Sequence, residues 1–260
     1  MNLVDVVIIS GAGSGIGYAV AIELGKSGIP ILCISKSTNA ENTAREIQET
    51  GGIAESLILD IGDYNKAEKV LTEWVKNSNH KKIGLVLAAG ILGPKGPLTE
   101  CLLNEWDKCH KVNVLGNLAV LKGTMFRMLE NRFGRIVTFA GGGSAYAFPI
   151  FPAYSATKTA MVRITENINE DLANKGDFAI VCLAPGAVET DMLKSVRSAG
   201  AEVKTTVDLK EPVFFIKDFI NAKSCGFSGR FVHVRNNWKN YLNSDQKISN
   251  ELQWKLRRAE

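Results

Sequence analysis

Short β-branched apolar runs alternate with longer segments of helical period. VVIIS precedes GYAVAIELGKSG, ILCIS precedes AENTAREIQETGG, ESLILD precedes NKAEKVLTEWVKN, and IGLVLAAG precedes a long helical stretch around Glu105 to Leu121. The second half continues with RIVTFA, a helix through TKTAMVRITENINEDLANKG, then FAIVCLAPG and finally GRFVHV. The strand segments are apolar throughout, as a parallel sheet covered by helices on both faces requires. The pattern predicts an α/β fold with a doubly wound parallel sheet. No internal repeat, low-complexity tract or long Pro/Gly/Ser linker divides the chain, so one domain over 1–260 is expected. The stretch from about 191 to 212 breaks the rhythm and is expected to lie over a site, with a tail following from about 236 to 260.

Composition narrows the class. At 260 residues, 45% apolar and 22% charged, the chain can bury a substantial core. Five scattered cysteines, none in a CxxC pair, suggest neither a disulfide framework nor a thiolate metal site, and a reducing cytoplasm is the expected compartment. MNLVDVVIIS reads directly as a buried strand with no targeting signal, and no apolar run has the length of a membrane span. The net charge of +4 is modest, and the basic clusters His80–Lys82 and Lys255–Arg258 lack interleaved aromatics, which argues against nucleic acid as a partner.

Candidate chemistry begins at SGAGSGIG, Ser10 to Gly17, which follows a strand and opens a helix. Such a turn lets backbone N–H groups approach a pyrophosphate at a helix N-terminus, although a glycine-rich turn alone can be only a tight connection. Its spacing, with Gly11, Gly15 and Gly17, is joined in order by LVLAAG (Leu85 to Gly90), KVNVLGN (Lys111 to Asn117), YSATK (Tyr154 to Lys158) and APGAVET (Ala184 to Thr190). From about Val6 to Val234 the chain resembles the short-chain dehydrogenase/reductase family. The resemblance implies a Rossmann-type single domain, a nicotinamide dinucleotide, a small-molecule substrate and a homodimer or homotetramer.

Independently of any family, Tyr154 and Lys158 lie four apart on one helix face, where an ammonium favours the ionised phenol and draws it toward acid–base work. The resemblance implies that Tyr154 exchanges a proton with the substrate oxygen, that Lys158 also holds the nicotinamide ribose, and that Asn113 anchors a proton-relaying water. Asn113 could equally satisfy backbone groups inside a helix. The family places a serine about thirteen residues before the tyrosine, but here that position is Gly141 and its neighbour is Ala140. Three readings follow: the loop Gly141–Gly143 swings Ser144 into the role, glycine N–H groups with a water polarise the substrate oxygen, or the chain is a noncatalytic binding member.

For the cofactor, the end of ILCISKS carries Ser35, Lys36 and Ser37 where an acid would grip the ribose of NAD. Lys36 between two hydroxyls suits a 2′-phosphate, so NADP(H) is favoured and NAD(H) is the alternative. The resemblance adds Gly11, Ser14 and Ile16 at the pyrophosphate turn, and Asp60 with Ile61 at the adenine. It also adds Ala89 and Gly90, in a run Ala88–Gly90 that departs from the commoner NNAG by lacking its two amides, and Pro185, Gly186, Val188 and Thr190 beside the carboxamide and pyrophosphate. Asp60 could otherwise be a helix N-cap. Tyr146, Phe148, Phe151, Glu189 and Met192 are available to line a pocket and suit a polar molecule. AGILGPKGPL and the terminal WKLRRAE resemble members from bacterial surface-polysaccharide and sugar biosynthesis, which directs the expectation to a sugar derivative. A lyase or epimerase on the same fold is the competing enzyme class.

Overall fold

A computed structural model describes residues 2–203, 205–250 and 252–256. Its centre is a sheet of seven parallel strands: β1 (Val6–Ser10), β2 (Ile31–Ser35), β3 (Ala54–Ile58), β4 (Ile83–Leu87), β5 (Phe133–Phe139), β6 (Asp177–Ala184) and β7 (Arg230–His233). They lie in the order β3-β2-β1-β4-β5-β6-β7, so the chain reverses its direction of winding between β1 and β4. A crevice at the carboxyl ends of the strands is the consequence of such a switch point.

Helices α1 (Gly15–Lys26), α2 (Asn39–Glu49), α3 (Tyr64–Asn77), α4 (Leu103–His110), α5 (Asn117–Glu130), α6 (Pro152–Leu172), α7 (Asp191–Ser198) and α8 (Lys210–Ile220) complete the chain. Alternate strand residues feed opposite layers. Val7 and Ile9 of β1 join Leu24, Phe215 and Phe219 on one face, whereas Val6 and Ile8 join Leu71, Val75 and Val120 on the other. This two-sided burial explains the unbroken apolar runs of the strands.

The guanidinium of Arg135 is buried within this framework. It donates to the carbonyls of Ala222, Gly134 and Asp177, pairs with the Asp177 carboxylate at 2.9 Å and stacks 4.6 Å from the Phe133 ring. Arg135 thereby ties β5 and β6 to the end of α8 and satisfies carbonyls that burial would otherwise penalise.

The long helix expected around Glu105 to Leu121 proves to be three pieces. α4 ends at His110, a wide π turn occupies Lys111–Gly116, and α5 follows directly. A Cβ on Gly116 would press against the Ile61 carbonyl, so glycine lets this turn meet the loop after β3. The 191–212 stretch contains α7 and then returns to pair Val207 with Val188. The tail after β7 folds back along this edge strand. Phe231 N–H donates to the Trp254 carbonyl at 2.7 Å, and the Trp254 ring meets Phe227 and Tyr241 edge-on, which covers an edge that would otherwise invite pairing. Residue 204 of the covering stretch, residues 251 and 257–260 of the tail, and the Arg258 end of the basic cluster lie outside the described residues.

Candidate active site

The carboxyl ends of β1, β4, β5, β6 and β7 open into one cleft of about 710 Å³. One end is walled by the turn after β1, where Gly11, Ser14, Gly15, Ile16 and Gly17 line the space. Glycine is required twice here. Gly11 has φ +73° and a Cβ on it would sit 2.7 Å from the Ala89 nitrogen, while a Cβ on Gly17 would run into the Gly11 carbonyl. Ser14 caps α1 without a side-chain hydrogen bond, which leaves the amides of the first turn for a ligand. A stripped turn at an uncapped helix N-terminus fits a dinucleotide's pyrophosphate.

The opposite wall is built by the β6–α7 connection. Pro185, Gly186, Val188 and Thr190 all reach the cleft, and the Thr190 hydroxyl caps α7 by accepting from Leu193 N–H. The methyl of Thr190 would touch a Cβ on Gly15 at 3.4 Å, so this connection approaches the turn after β1. Ala89 and Gly90 also line the cleft. The backbone of this small-residue run is held from outside. Asn117 Nδ2 donates to the Ala89 carbonyl at 3.0 Å, and the Ser10 hydroxyl donates to Asn117 Oδ1 at 2.9 Å while accepting from Ala89 N–H. Ser10 and Asn117 were not anticipated in these roles, because partners so far apart in sequence show no spacing signal.

Tyr154 and Lys158 rise from the first turns of α6 into the cleft, Tyr154 8% and Lys158 5% exposed. The ammonium stands 5.7 Å from the centre of the Tyr154 ring. Burial dominates both groups. It pushes the phenol above its ordinary value and lowers Lys158 to about 8, so the lysine does not draw the phenol down as its spacing suggests. The phenol is consequently held in its proton-donating form.

Asn113 sits fully buried in the π turn, off the cleft. Its Oδ1 accepts from Ile91 N–H at 2.8 Å, and its Nδ2 donates to the Ile91 carbonyl at 2.9 Å and to Thr157 Oγ1 at 3.0 Å. The side chain therefore pins the loop after β4 to α6, one residue before Lys158. Cys109 and Thr157, its other neighbours, carried no sequence signal.

The glycine run resolves differently from the Ser144 expectation. Ser144 is 2% exposed, absent from the cleft wall, and its Oγ accepts from Gly141 N–H at 2.9 Å while Ser144 N–H returns to the Gly141 carbonyl. The hydroxyl closes the tight loop upon itself, with Gly143 at φ +83° turning the chain inward. Gly141 and Gly142 are what face the cleft. A Cβ on Gly141 would collide with the Tyr154 hydroxyl and lie 2.9 Å from two of its ring carbons, so the phenol already occupies the space in front of this backbone.

At the carboxyl end of β2, Ser35 and Ser37 approach each other at 3.4 Å beside Gly13, and Lys36 is exposed between them. These residues lie beyond the main cleft. Asp60 accepts from Gly62 N–H at 2.8 Å, Ile61 is buried beside it, and the N-cap of α3 is Asp63 rather than Asp60. Of the side chains available for a pocket, Tyr146, Phe148 and Met192 line the cleft. Phe151 is buried behind it, and Glu189 is held at the surface by Arg197. Leu92, Val196, Phe231 and His233 also line it, unanticipated.

Among the described residues no helix is long and apolar enough to cross a membrane, and no cluster of His, Cys, Asp or Glu could hold a metal. Residues 5–201 match the family described as short chain dehydrogenase. An uncharacterized oxidoreductase of Staphylococcus aureus is 26% identical over 81% of this chain and 89% of its own length, and the 3-oxoacyl-[acyl-carrier-protein] reductase FabG of Aggregatibacter actinomycetemcomitans is 30% identical over 73% and 78%. The match spans only 66% of mouse dehydrogenase/reductase SDR family member 4, at 28% identity over 71% of this chain. A solved structure from Beutenbergia cavernae, provisionally assigned as an NAD(P)-dependent gluconate 5-dehydrogenase and holding NADP at low occupancy, superposes with TM-score 0.82 at 27% identity over 90% of this chain and 96% of its own. The stripped nucleotide turn, the Tyr154–Lys158 pair and this matched span place the chain in the short-chain dehydrogenase/reductase family of NAD(P)-dependent oxidoreductases.

Proposed function

We propose that this protein interconverts an alcohol and a carbonyl on a small polar substrate, using NADP(H). The observation that carries the reading is the buried Tyr154–Lys158 pair on the wall of a cleft that also contains an uncapped, glycine-stripped helix N-terminus. A bound nicotinamide dinucleotide would supply the hydride chemistry at the substrate carbon. Tyr154 gives its phenolic proton to the oxygen of a carbonyl being reduced, and regains one when the alcohol is oxidised. Lys158 keeps positive charge beside that phenol and offers donors to the ribose. Asn113 acts as a positioning residue that holds the loop after β4 against α6. The amide of Gly142, which lines the cleft and unlike that of Gly141 is not committed to Ser144, takes with a water the polarising role that a serine holds in the family. Ser144 then shapes this loop without meeting the substrate.

Two substitutions test these assignments. Gly141→Ser restores a hydroxyl at the family's spacing, yet its Cβ displaces the Tyr154 phenol. We expect kcat to fall at least about tenfold, by the misplacement of one proton donor. Ser144→Ala should cost far less than the roughly hundredfold loss of a direct donor. A gain of activity in Gly141→Ser would return the role to a serine hydroxyl.

Lys36 supports NADP(H) as the cofactor, since it stands free of any carboxylate among the described residues and between two hydroxyls. Lys36→Asp should weaken NADP binding and improve NAD relative to it, because a carboxylate repels a 2′-phosphate and accepts from a ribose hydroxyl. Unchanged relative affinities in calorimetric titrations would show that Lys36 only faces solvent. A sugar or sugar derivative is the proposed substrate class, supported by the polar groups of the cleft. The reading is completed by a homodimer or homotetramer in a reducing cytoplasm, with α7 and the chain up to 212 as the substrate-side cover. A substrate screen with both nicotinamide cofactors tests it.

A further inference from the structure

His233 ends β7, opposite Ala184 in the register with β6, and therefore stands beside the Pro185–Gly186 turn. Phe231 and His233 alternate with the buried Val232, so both face the cleft. The turn that follows fixes the imidazole. His233 N–H donates to Asn236 Oδ1 at 2.7 Å, and His233 Nδ1 accepts from Arg235 N–H at 3.1 Å. With Nδ1 accepting, the proton of the neutral ring belongs on Nε2. Nε2 reaches toward Gly186, standing 3.4 Å from where a Cβ on that residue would be. Among the described residues no acceptor meets this N–H. Burial and the neighbouring Arg235 lower the imidazole below its ordinary value, against an opposing influence of Glu211, which keeps the ring neutral near pH 7.

The surroundings give this donor its meaning. Met192 and Val196 of α7, Phe148 and Phe231 present apolar surface to the same cleft. Tyr154 and Lys158 are committed to the reacting oxygen and the ribose in the function proposed above. An oriented N–H that no acceptor meets, set beside this apolar surface, rejects a molecule that leaves it dry and favours one that offers it an oxygen.

Resting on that proposed function, we propose that His233 is a specificity-determining residue. Its Nε2–H receives a second oxygen of the substrate, a hydroxyl or carbonyl remote from the reacting carbon. The preferred substrates are therefore oxygenated at two or more positions.

The test compares cyclohexanone with 2-, 3- and 4-hydroxycyclohexanone, probes that differ by one oxygen and its position. In the unaltered protein with NADPH, at least one hydroxyketone should show kcat/KM about tenfold above cyclohexanone, the size of one oriented hydrogen bond. The preference should vanish in His233→Phe and return in part in His233→Gln, which keeps an N–H. A second readout needs no turnover: the chain has three histidines, and the His233 ring resonances in the NADP-bound protein should move on adding the preferred hydroxyketone but not cyclohexanone. A preference that survives in His233→Phe, or ring resonances that respond to NADP and to no hydroxyketone, would overturn the proposal while leaving the oxidoreductase reading intact. Hydroxyketone-dependent movement of the resonances without NADPH consumption would instead count against the oxidoreductase reading and leave the His233 contact standing.

Discussion

Tyr154→Phe should lower kcat at least about a hundredfold and as much as ten-thousandfold, the range that general acid–base catalysis supplies. The substitution removes one oxygen from a ring that is 8% exposed and packed against Gly141, so neither the fold nor the nucleotide turn should move. NADPH affinity should stay within a few-fold of the unaltered protein, since the phenol's work is on the substrate oxygen. The sign of its perturbation agrees with this role. Burial holds the phenol protonated, which is the form that donates to a carbonyl oxygen during reduction. Retained turnover in pre-steady-state and steady-state assays would remove Tyr154 from the chemistry, whereas equal loss of cofactor binding would recast it as a structural residue.

Lys158→Met should move activity and stability in opposite directions. Lys158 is 5% exposed, has no carboxylate partner among the described residues, and its pKa is lowered by burial from 10.5 to about 8. A folded-state value below the unfolded one means that the unfolded chain binds more proton between those limits. Stability therefore rises with pH through that window and carries the full burden below it. A shift of that size corresponds to roughly 3 kcal/mol at pH 7 as an upper bound, because the ammonium borders the open cleft. Methionine fills a similar volume without charge, so the variant should melt higher than the unaltered protein at pH 7. Its advantage should shrink as the pH is raised toward 10.5, and turnover should fall at least about a hundredfold through loss of the cation beside the phenol. Melting curves over that pH range check the claim. A variant less stable at every pH would mean that Lys158 has partners which repay its burial.

The sheet could be read from the chain because strands buried on both faces must be apolar throughout, and VVIIS, ILCIS and IGLVLAAG have no other simple explanation. The nucleotide turn and the Tyr154–Lys158 pair were legible for a related reason, since both work through neighbours close in sequence. What escaped depended on distant contacts or on a local change of winding. The π turn at Lys111–Gly116 widens a helix without disturbing its apolar period, and only the approach of Gly116 to Ile61 explains it. The direction of Ser144 is not legible in sequence because three glycines leave the following side chain open until the loop closes, here through Gly141 N–H. Spacing alone points the shift of the Tyr154 phenol the wrong way, because it reports the lysine but not the depth at which both are buried. His233 sits in a short strand where one polar residue among apolar ones carries no chemical label.

The central claim is hydride exchange assisted by Tyr154, and one measurement reaches it most directly: incubate the protein with NADPH carrying deuterium at the transferable position and with a carbonyl substrate found by screening. The account predicts one deuterium on the new carbinol carbon, one NADPH consumed per alcohol formed, and loss of both signals in Tyr154→Phe. Product that forms without deuterium while the cofactor returns unchanged would contradict it and assign the cleft to a lyase or epimerase.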